Sequence, residues 1–467
     1  MSPPDVEALK RGARQALIGL RPVIERHFRM IWEEPELAAM ERRAADLLCG
    51  WLEASGFDVS RGSQGIPTAF VAEAGAGDGP CIGILAEYDA LPGLDNEAAP
   101  VRRSRGKVAG HACGHNQIGA ANVGAAVAAA TALSQARRPG RIVVFGCPAE
   151  EILWGKTLML ERGLFDGCDA LLTSHADYQN GVLSRPCQSV AQGEMIFYGV
   201  AGHAGSVRRQ NALDAVELAV QSIERLRAHN FPDTIVEHVL RVAGVHPGIT
   251  PDESRIWLSS RQQDFERVWE VYEFAVGVCR RAAEMTGTSF RHQFIAASRG
   301  YLPNDTLAEV LFRSQQQVGA PRWTPEGLDW MRQLALACAP RDQFFLDQEI
   351  GLYREGIDPY GQDDGEISWR IPLARVNWAV PRQVPLHHWA LSALSGHPAS
   401  YPGPIMASEV LALGAVELIS SPEILSRAKE ELARRVNGKV LTAPRVGAKR
   451  TLVENPQSFW DRSWIED

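Results

Sequence analysis

Residues 141–151 read RIVVFGCPAEE, an apolar run that stops at two adjacent carboxylates. The run at 141–147 has the composition of a buried strand, and residues 82–86 and 170–174 are similar apolar runs on either side of it in the chain. Between them, the Ala- and Gly-rich residues 116–135 predict a tightly packed helix. Strands that alternate with helices predict an α/β layered domain with a mainly parallel sheet.

The pattern of predicted strands and helices changes near residue 189. Residues 194–200 and 255–261 predict strands, while residues 211–229 and 265–286 predict long amphipathic helices. This pattern predicts a smaller α+β domain inserted into the α/β domain. The α/β pattern begins again near residue 300. The predicted boundaries are 1–188 and 300–436 for the two parts of the catalytic domain, 189–299 for the inserted domain, and 437–467 for a polar tail.

The composition is that of a soluble globular enzyme, with 45% hydrophobic and 22% charged residues. A formal net charge of -8 and the lack of a basic stripe argue against a nucleic-acid partner. The N-terminal sequence does not resemble a signal peptide, and no apolar run approaches the roughly 20 residues that span a bilayer. The eight cysteines are scattered. We therefore expect a cytoplasmic protein with no membrane partner.

Residues 110–116 read GHACGHN and place one thiol and two imidazoles close together. Cys and His bind borderline metals, and a neighbouring cation favours the thiolate. If the segment is extended, the spacing of Cys113 and His115 puts both side chains on one face. A glycine-rich turn with incidental histidines is the alternative interpretation of this window alone.

Two further polar clusters come directly after predicted strands. Glu150 and Glu151 follow residues 141–147, and His175 follows residues 170–174. Each alone is more often an acidic loop or a structural histidine, but ligands in open α/β sheets gather at the carboxyl ends of strands. Together these clusters predict a site for manganese, zinc, cobalt or nickel. The candidate ligands are Cys113, His115, Glu151 and His175.

The strand predicted at residues 82–86 runs into a carboxylate pair within residues 83–93, GILAEYDALPG. Carboxylates at this edge of the sheet would orient the ligating histidines from outside the ligand shell, and Asp89 is the candidate for that role. The alternative is a polar strand exit that ends in a Pro-Gly turn.

In order and spacing, these motifs resemble the successive signatures of the M20 peptidase and amidohydrolase family. The closest branch is the aminobenzoyl-glutamate hydrolase type. The similarity extends to residues 31–37, 200–215 and 363–369, and so covers nearly all of the chain before the tail. The signatures themselves are LAEYDALPG, GHACGHN, PAEE and SHAD, at residues 85–93, 110–116, 148–151 and 174–177.

The resemblance implies a metal-dependent hydrolase that acts on carbon–nitrogen bonds. It implies one or two divalent ions, with Mn²⁺ preferred and Zn²⁺, Co²⁺ or Ni²⁺ as alternatives, held by Cys113, His115, Glu151 and His175. Glu150 would be the general base, taking a proton from metal-activated water and returning it to the departing nitrogen.

The inserted domain of the family acts as a lid, forms dimers and carries a histidine that reaches the substrate, sometimes across the dimer. His203 matches that position and is a candidate oxyanion stabiliser. Asn211, Arg261 and His387 fall in segments that line the substrate cleft. The resemblance therefore implies a small-molecule substrate and a homodimer or higher homo-oligomer.

The sequence departs from the family pattern at the last metal ligand. That ligand is normally a histidine shortly before the C-terminal helix, but Tyr401 stands there in an ungapped alignment. His397, four residues earlier, takes its place if the loop shifts. His387 and His388 are further candidates, although His387 resembles part of a separate cleft segment. A neutral phenol is a poor metal ligand beside imidazole, so with Tyr401 in that position one of the two metal sites would be weak or empty.

Three functions remain open at this point. The first is hydrolysis of the amide bond of a small N-acyl or N-aroyl amino acid. The second, raised by the replaced ligand, is hydrolytic deamination of an electron-poor aromatic amine such as a nitroanthranilate; Trp154, Tyr178 and Trp389 fit an aromatic substrate. The third is a non-catalytic small-molecule-binding protein, against which the retention of Glu150 argues.

Overall fold

The computed structural model describes residues 6–206 and 210–466. Within these residues the α-helices are α1 (Val6–Glu33), α2 (Arg42–Ala54), α3 (His115–Gln135), α4 (Gly155–Glu161), α5 (Ala212–Asn230), α6 (Phe265–Thr286), α7 (Asp305–Val318), α8 (Pro325–Cys338), α9 (Asp364–Ser368), α10 (Trp389–Gly396), α11 (Pro402–Ser420), α12 (Pro422–Val436), α13 (Lys449–Glu454) and α14 (Pro456–Trp460).

The same residues form strands in two main sheets and two short ribbons. The strands are β1 (Asp58–Arg61), β2 (Phe70–Ala76), β3 (Cys81–Glu87), β4 (Leu91–Pro92), β5 (Ala109–Gly110), β6 (Gly140–Cys147), β7 (Ala170–Asp177), β8 (Gly181–Leu183), β9 (Ser189–Tyr198), β10 (Gly202–His203), β11 (Ile235–Val242), β12 (Ile249–Thr250), β13 (Glu253–Gln262), β14 (Ser289–Ser298), β15 (Gly351–Tyr353), β16 (Leu373–Ala379) and β17 (Arg445–Val446).

The larger sheet has eight strands in the order β1-β2-β6-β3-β7-β16-β8-β15. Its central strands β6, β3, β7 and β16 are parallel to one another, whereas β1, β2 and β8 each pair antiparallel with a neighbour. Every residue of β3, β7 and β16 is buried, because helices cover both faces of a parallel sheet. The predicted α/β fold with a mainly parallel sheet is confirmed.

Helix α3 lies against this sheet through residues with small side chains. A Cβ atom at Gly119 would stand 2.6 Å from the backbone oxygen of Glu87, so the close approach of helix and strand requires glycine there. The helix begins at His115, so this packing also fixes where that imidazole lies relative to the end of β3.

Two helical segments correct the expectation that no apolar run approaches the length of a membrane span. Among the described residues, His115–Gln135 and Pro398–Ser420 are long and apolar enough by length and composition. In each, 83% of the apolar window is buried inside the protein. Their apolar side chains therefore pack the core around the larger sheet.

The second sheet is antiparallel, with the order β11-β13-β9-β14-β17. Helices α5 and α6 pack on it and share a separate hydrophobic core. The Asn211 and Asp264 side chains cap the two helices by accepting hydrogen bonds from the backbone N–H groups of Leu213 and Arg267. Strand β17 belongs to the C-terminal tail and pairs with β14, so the tail extends this sheet.

Candidate metal centre

The turn between β5 and α3 carries two of the predicted ligands. Gly114 is the N-cap of α3 and has a left-handed backbone with φ 84° and ψ 14°, a conformation that glycine adopts without a steric penalty. The expectation of an extended segment is therefore wrong: the chain turns between Cys113 and His115. Both side chains are buried at the edge of the larger sheet.

Asp89 lies behind two of the candidate ligands. His115 Nδ1 donates a hydrogen bond to Asp89 Oδ1 over 2.8 Å, and His115 Nε2 has no hydrogen-bond partner. The backbone N–H of Glu151 donates to the other oxygen, Asp89 Oδ2, over 2.9 Å. One carboxylate thus orients an imidazole and a neighbouring acidic loop, as outer-shell carboxylates do in metal sites.

The remaining candidate ligands converge on the same place. Cys113 Sγ lies 3.4 Å from His175 Nε2. Glu151 Oε1 lies 4.0 Å from His115 Nε2, while Glu151 Oε2 lies 3.3 Å from His387 Nε2. Three groups of ligand atoms lie within 4.8 Å of one another, namely Cys113, His115 and His175; Cys113, Glu151 and His387; and His115, Glu150 and Glu151.

The polar groups of this cluster fit a divalent cation. Buried atoms without a hydrogen-bond partner include His115 Nε2, Glu150 Oε1 and Glu151 Oε1. Burial raises the pKa of the Cys113 thiol, of Glu151 and, together with the charge of Glu87, of Glu150. Because unpaired buried charge is costly, a cation would stabilise these groups in their ionised form. Thiolate, imidazole and carboxylate together suit a borderline metal.

The two histidines of the cluster differ in pKa. Burial lowers the pKa of His175 to about 3, so its imidazole is neutral at pH 7 and able to bind a metal. Burial acts in the same direction on His115, but its interactions with Cys113 and with the Asp89 carboxylate outweigh burial and raise the pKa of His115 well above its ordinary value. Metal binding at His115 would therefore release a proton.

The structure corrects the prediction that Tyr401 or His397 is the last ligand. Tyr401 is 7% exposed and packs edge-on against Phe28, with ring centroids 5.2 Å apart. His397 stacks on Trp330 at 3.8 Å, and its Nδ1 accepts a backbone N–H. Both residues lie where α11 begins and pack into the helical layer, and neither joins the clustered ligand atoms. His387 approaches that cluster instead.

The loop after β16 brings His387 to the cluster. The backbone N–H of His387 donates to the carbonyl of Ala112 over 2.9 Å, which ties this loop to the residue before Cys113. His387 has a left-handed backbone with φ 55°, a strained conformation for a non-glycine residue of the kind that gathers at functional sites. Its position after a central strand follows the same strand-end pattern as the other ligands, and the sequence had already indicated it as a further candidate.

A cavity of about 480 Å³ lies between the cluster and strands β11 and β13 of the second sheet. One wall carries Cys113, Glu150, Glu151, His175 and His387, and the opposite wall, from β11 and β13, carries Glu237, His238, Val239, Trp257, Ser259 and Arg261. Arg261 Nε lies 3.4 Å from Glu237 Oε2 and has no hydrogen-bond partner. The cavity therefore has an acidic, metal-binding end and a cationic side chain on the facing sheet.

Strand β16 contributes polar residues to the cavity that the sequence did not single out. Arg375 and Asn377 both line it, and the strand register pairs Asn377 with His175 of β7. Asn377 Nδ2 donates to Asp177 Oδ2 over 2.9 Å. These residues extend the polar floor of the cavity beyond the predicted ligands.

His203 and Asn211 lie apart from this cavity. They line a separate hollow on the inserted domain, next to His246. His203 Nδ1 accepts a hydrogen bond from the backbone N–H of Gly205 over 3.0 Å. Within one chain the structure does not bring either residue to the clustered ligands. Residues 207–209, part of the segment that resembles the family, lie outside the described residues.

The aromatic residues of the cavity differ from those singled out in the sequence. Among the described residues its lining includes Trp257 and Tyr360 but not Trp154, Tyr178 or Trp389. Trp154 is 1% exposed, and its indole donates to a backbone carbonyl in the tail.

Comparison with known proteins identifies the family. The model for peptidase family M20/M25/M40 matches residues 83–408. The chain belongs to this family. It is a metal-dependent hydrolase that acts on carbon–nitrogen bonds, as predicted, and this sets aside the non-catalytic alternative.

The relatives cover most of the chain. One of them, a subunit of the p-aminobenzoyl-glutamate hydrolase of Escherichia coli, is 29% identical over 434 residues, covering 86% of this chain and 90% of that protein. The Xaa-Arg dipeptidase of Mus musculus is 27% identical, covering 91% and 93%. A dinuclear metal-binding M20 peptidase of Bacillus subtilis superposes with a TM-score of 0.56 at 20% identity, covering 86% and 99% of the two chains, and therefore shares the fold.

Proposed function

We propose that this protein hydrolyses the amide bond of a small N-acyl or N-aroyl amino acid, with Glu150 as the general base. The observation that carries the proposal is the position of Glu150. Its carboxylate lines the cavity, has Oε2 3.8 Å from His115 Nε2, and has an Oε1 atom without a hydrogen-bond partner. The names of two relatives, p-aminobenzoyl-glutamate hydrolase and Xaa-Arg dipeptidase, support amide substrates that contain an amino acid.

The chemistry divides between a metal centre and Glu150. A divalent ion at Cys113, His115, Glu151, His175 and His387 lowers the pKa of water and polarises a carbonyl when bound. Glu150 takes the proton of the attacking water and delivers it to the departing nitrogen. Burial and the nearby charge of Glu87 raise the pKa of Glu150 well above its ordinary value, and a bound cation would favour the ionised form that accepts the proton.

Arg261 is the proposed partner of the substrate carboxylate. It lies on β13, across the cavity from the ligands, and its Nε atom has no hydrogen-bond partner. A guanidinium binds a carboxylate through two parallel N–H groups and so fixes its orientation. This contact would hold the amino-acid half of the substrate with its amide bond towards Glu150.

The donor atoms support two ions rather than one. One group joins Cys113, Glu151 and His387, and another joins Cys113, His115 and His175. Glu151 also has its other oxygen 4.0 Å from His115 Nε2. The related fold of a dinuclear peptidase agrees with this number. We propose Mn²⁺ as the ion, with Zn²⁺, Co²⁺ or Ni²⁺ as alternatives, since all four accept this mixture of ligands.

Product analysis tests the proposed reaction. We expect Mn²⁺-loaded protein to release free amino acid from N-acyl amino acids or aroyl-glutamates, and a strong chelator to abolish the release. The panel also contains aminobenzoates with and without nitro groups, and ammonia is followed separately from amino acid. Boiled protein and apo-protein are the controls.

The outcomes separate the two candidate reactions. Ammonia from an aromatic amine without amide cleavage would contradict the proposal and favour the deaminase. The position of His387 beside the cluster supports the amide reaction, because its imidazole would take the place of the histidine whose replacement by Tyr401 raised the deaminase. Amide cleavage that survives complete metal removal would also contradict the proposal.

We further propose a homodimer formed through the inserted domain, with His203 serving the cavity of the partner subunit. Strand β11 is the edge of its sheet and exposes Leu240, which is 48% accessible; an unpaired apolar edge is a natural pairing surface. Sedimentation equilibrium should give twice the chain mass, and Leu240→Lys should shift the measured mass towards that of the monomer. A wild-type protein that stays monomeric at micromolar concentration would contradict this proposal.

A further inference from the structure

A lysine is completely buried directly behind the candidate metal centre. Lys156, in α4, is 0% exposed. Its Nζ atom lies 2.7 Å from Glu87 Oε1 and 2.5 Å from Asp363 Oδ1, and its backbone N–H donates to Asp363 Oδ2 over 2.8 Å. Desolvating three charged groups is expensive, and apolar side chains of similar volume often do as well or better for stability. The network therefore calls for a reason other than stability.

The free end of this network faces the metal centre. Glu87 Oε2 is buried without a hydrogen-bond partner and lies 3.6 Å from His115 Nε2, the nitrogen that faces away from Asp89. Two donor atoms ~2.1 Å from a common ion lie ~3 to ~4 Å apart, so this separation suits two ligands of one ion. Glu150 Oε2 lies 3.8 Å from the same nitrogen.

We propose that Glu87 is a further carboxylate ligand of the ion bound at His115, and that Lys156 is the positioning residue that holds it there. The Lys156 ammonium binds one oxygen of Glu87 and leaves the other directed towards His115 Nε2. The Asp363 carboxylate holds Lys156 from the opposite side, since it contacts both the ammonium group and the backbone N–H of Lys156. This inference rests on the metal centre of the proposed function.

The network also serves the charge balance of the centre. Glu87, Lys156 and Asp363 together carry a net charge of about -1 when all are ionised, and Glu150 and Glu151 add two carboxylates within reach of His115. An additional anionic oxygen on the His115 side strengthens binding of a hard divalent cation there. It does so without using Glu150, which stays available as the base.

Metal titration of two variants tests the proposal. Glu87→Gln keeps the size of the side chain and an acceptor for Lys156, but removes the anionic oxygen. The double variant Lys156→Met, Asp363→Asn keeps the net charge of the network and removes the anchor of Glu87. The matched control is Glu194→Gln, a buried carboxylate paired with Arg241 and Arg255 in the inserted sheet. Each protein is titrated with Mn²⁺ against a competing chelator, and the melting temperature of each apo-protein is recorded.

We expect Glu87→Gln, which loses a ligand, to bind the ion at His115 at least ~100-fold more weakly, and the double variant, which loses only the anchor of that ligand, to bind it roughly 10- to 100-fold more weakly. The affinity for any second ion should stay near that of wild type, and so should the melting temperature of apo Glu87→Gln. Glu194→Gln should bind metal with wild-type affinity. Unchanged metal affinity in Glu87→Gln, or an equal loss in Glu194→Gln, would overturn the proposal. A wild-type protein that binds no metal would overturn the proposed metal centre itself, whereas normal wild-type binding with a normal Glu87→Gln overturns only this inference.

Discussion

Glu150→Gln should lower kcat for amide hydrolysis by about 10²- to 10⁴-fold, the range that general acid–base catalysis contributes. The amide cannot take a proton from the attacking water, yet it keeps the shape of a side chain that is 4% exposed in a packed cavity wall. Metal affinity should change little, because Glu150 is not among the ligands proposed for the centre. The measurement is kcat and KM on the best substrate of the product panel, with metal content determined on the same preparation.

The control for this variant is Glu366→Gln. Glu366 is also buried, but it pairs with Arg299 outside the cavity. It should retain near-wild-type kcat. If Glu150→Gln kept full activity with metal bound, Glu150 would not be the base. If the Glu150→Gln protein lost its metal, its loss of activity would result from the loss of metal, and Glu150 would be a ligand.

The fold was largely predictable because its signals are local. The apolar runs at 82–86, 141–147 and 170–174 are the parallel strands β3, β6 and β7. Helix α6 spans Phe265–Thr286, the residues predicted, because it begins after an Asp264 cap and ends at Gly287 with a left-handed φ of 70°. Caps and periodicity are properties of a short window, and the sequence displays them directly.

The candidate ligands were predictable for a topological reason. The carboxyl ends of adjacent parallel strands meet at one edge of a sheet, so polar residues after β6 and β7 must lie near each other. The structure brings Glu151 and His175 together there with Cys113 and His115. The directions of the Cys113 and His115 side chains could not be predicted from their spacing, because they depend on the left-handed turn at Gly114.

The choice among the candidates for the last ligand, and the position of the buried lysine, could not be predicted in the same way. An ungapped comparison put Tyr401 in the position of a ligand, but the position of His387 depends on a backbone hydrogen bond to Ala112, far away in the chain. Lys156 and Asp363 are 207 residues apart, and neither lies in a motif whose spacing reveals the contact. Such groups meet only after two distant loops have packed.

His387→Ala should weaken binding of one metal ion by at least ~100-fold, more than the ~10- to 100-fold typical of an outer-shell partner. The imidazole lies 3.3 Å from Glu151 Oε2 and groups with Cys113 and Glu151. It is also 54% exposed, so its removal should leave the packing of the core intact. Amide hydrolysis should fall together with metal occupancy and recover in part at high metal concentration.

The most direct test of the metal centre is the metal affinity of wild type, His387→Ala and His397→Ala, measured side by side by chelator competition. His397 stacks on Trp330 away from the clustered ligands, so its variant is the matched control. Our account predicts tight binding by wild type and His397→Ala, and a large loss in His387→Ala alone. Normal binding by His387→Ala together with loss in His397→Ala would contradict it and restore the ligand suggested by the sequence.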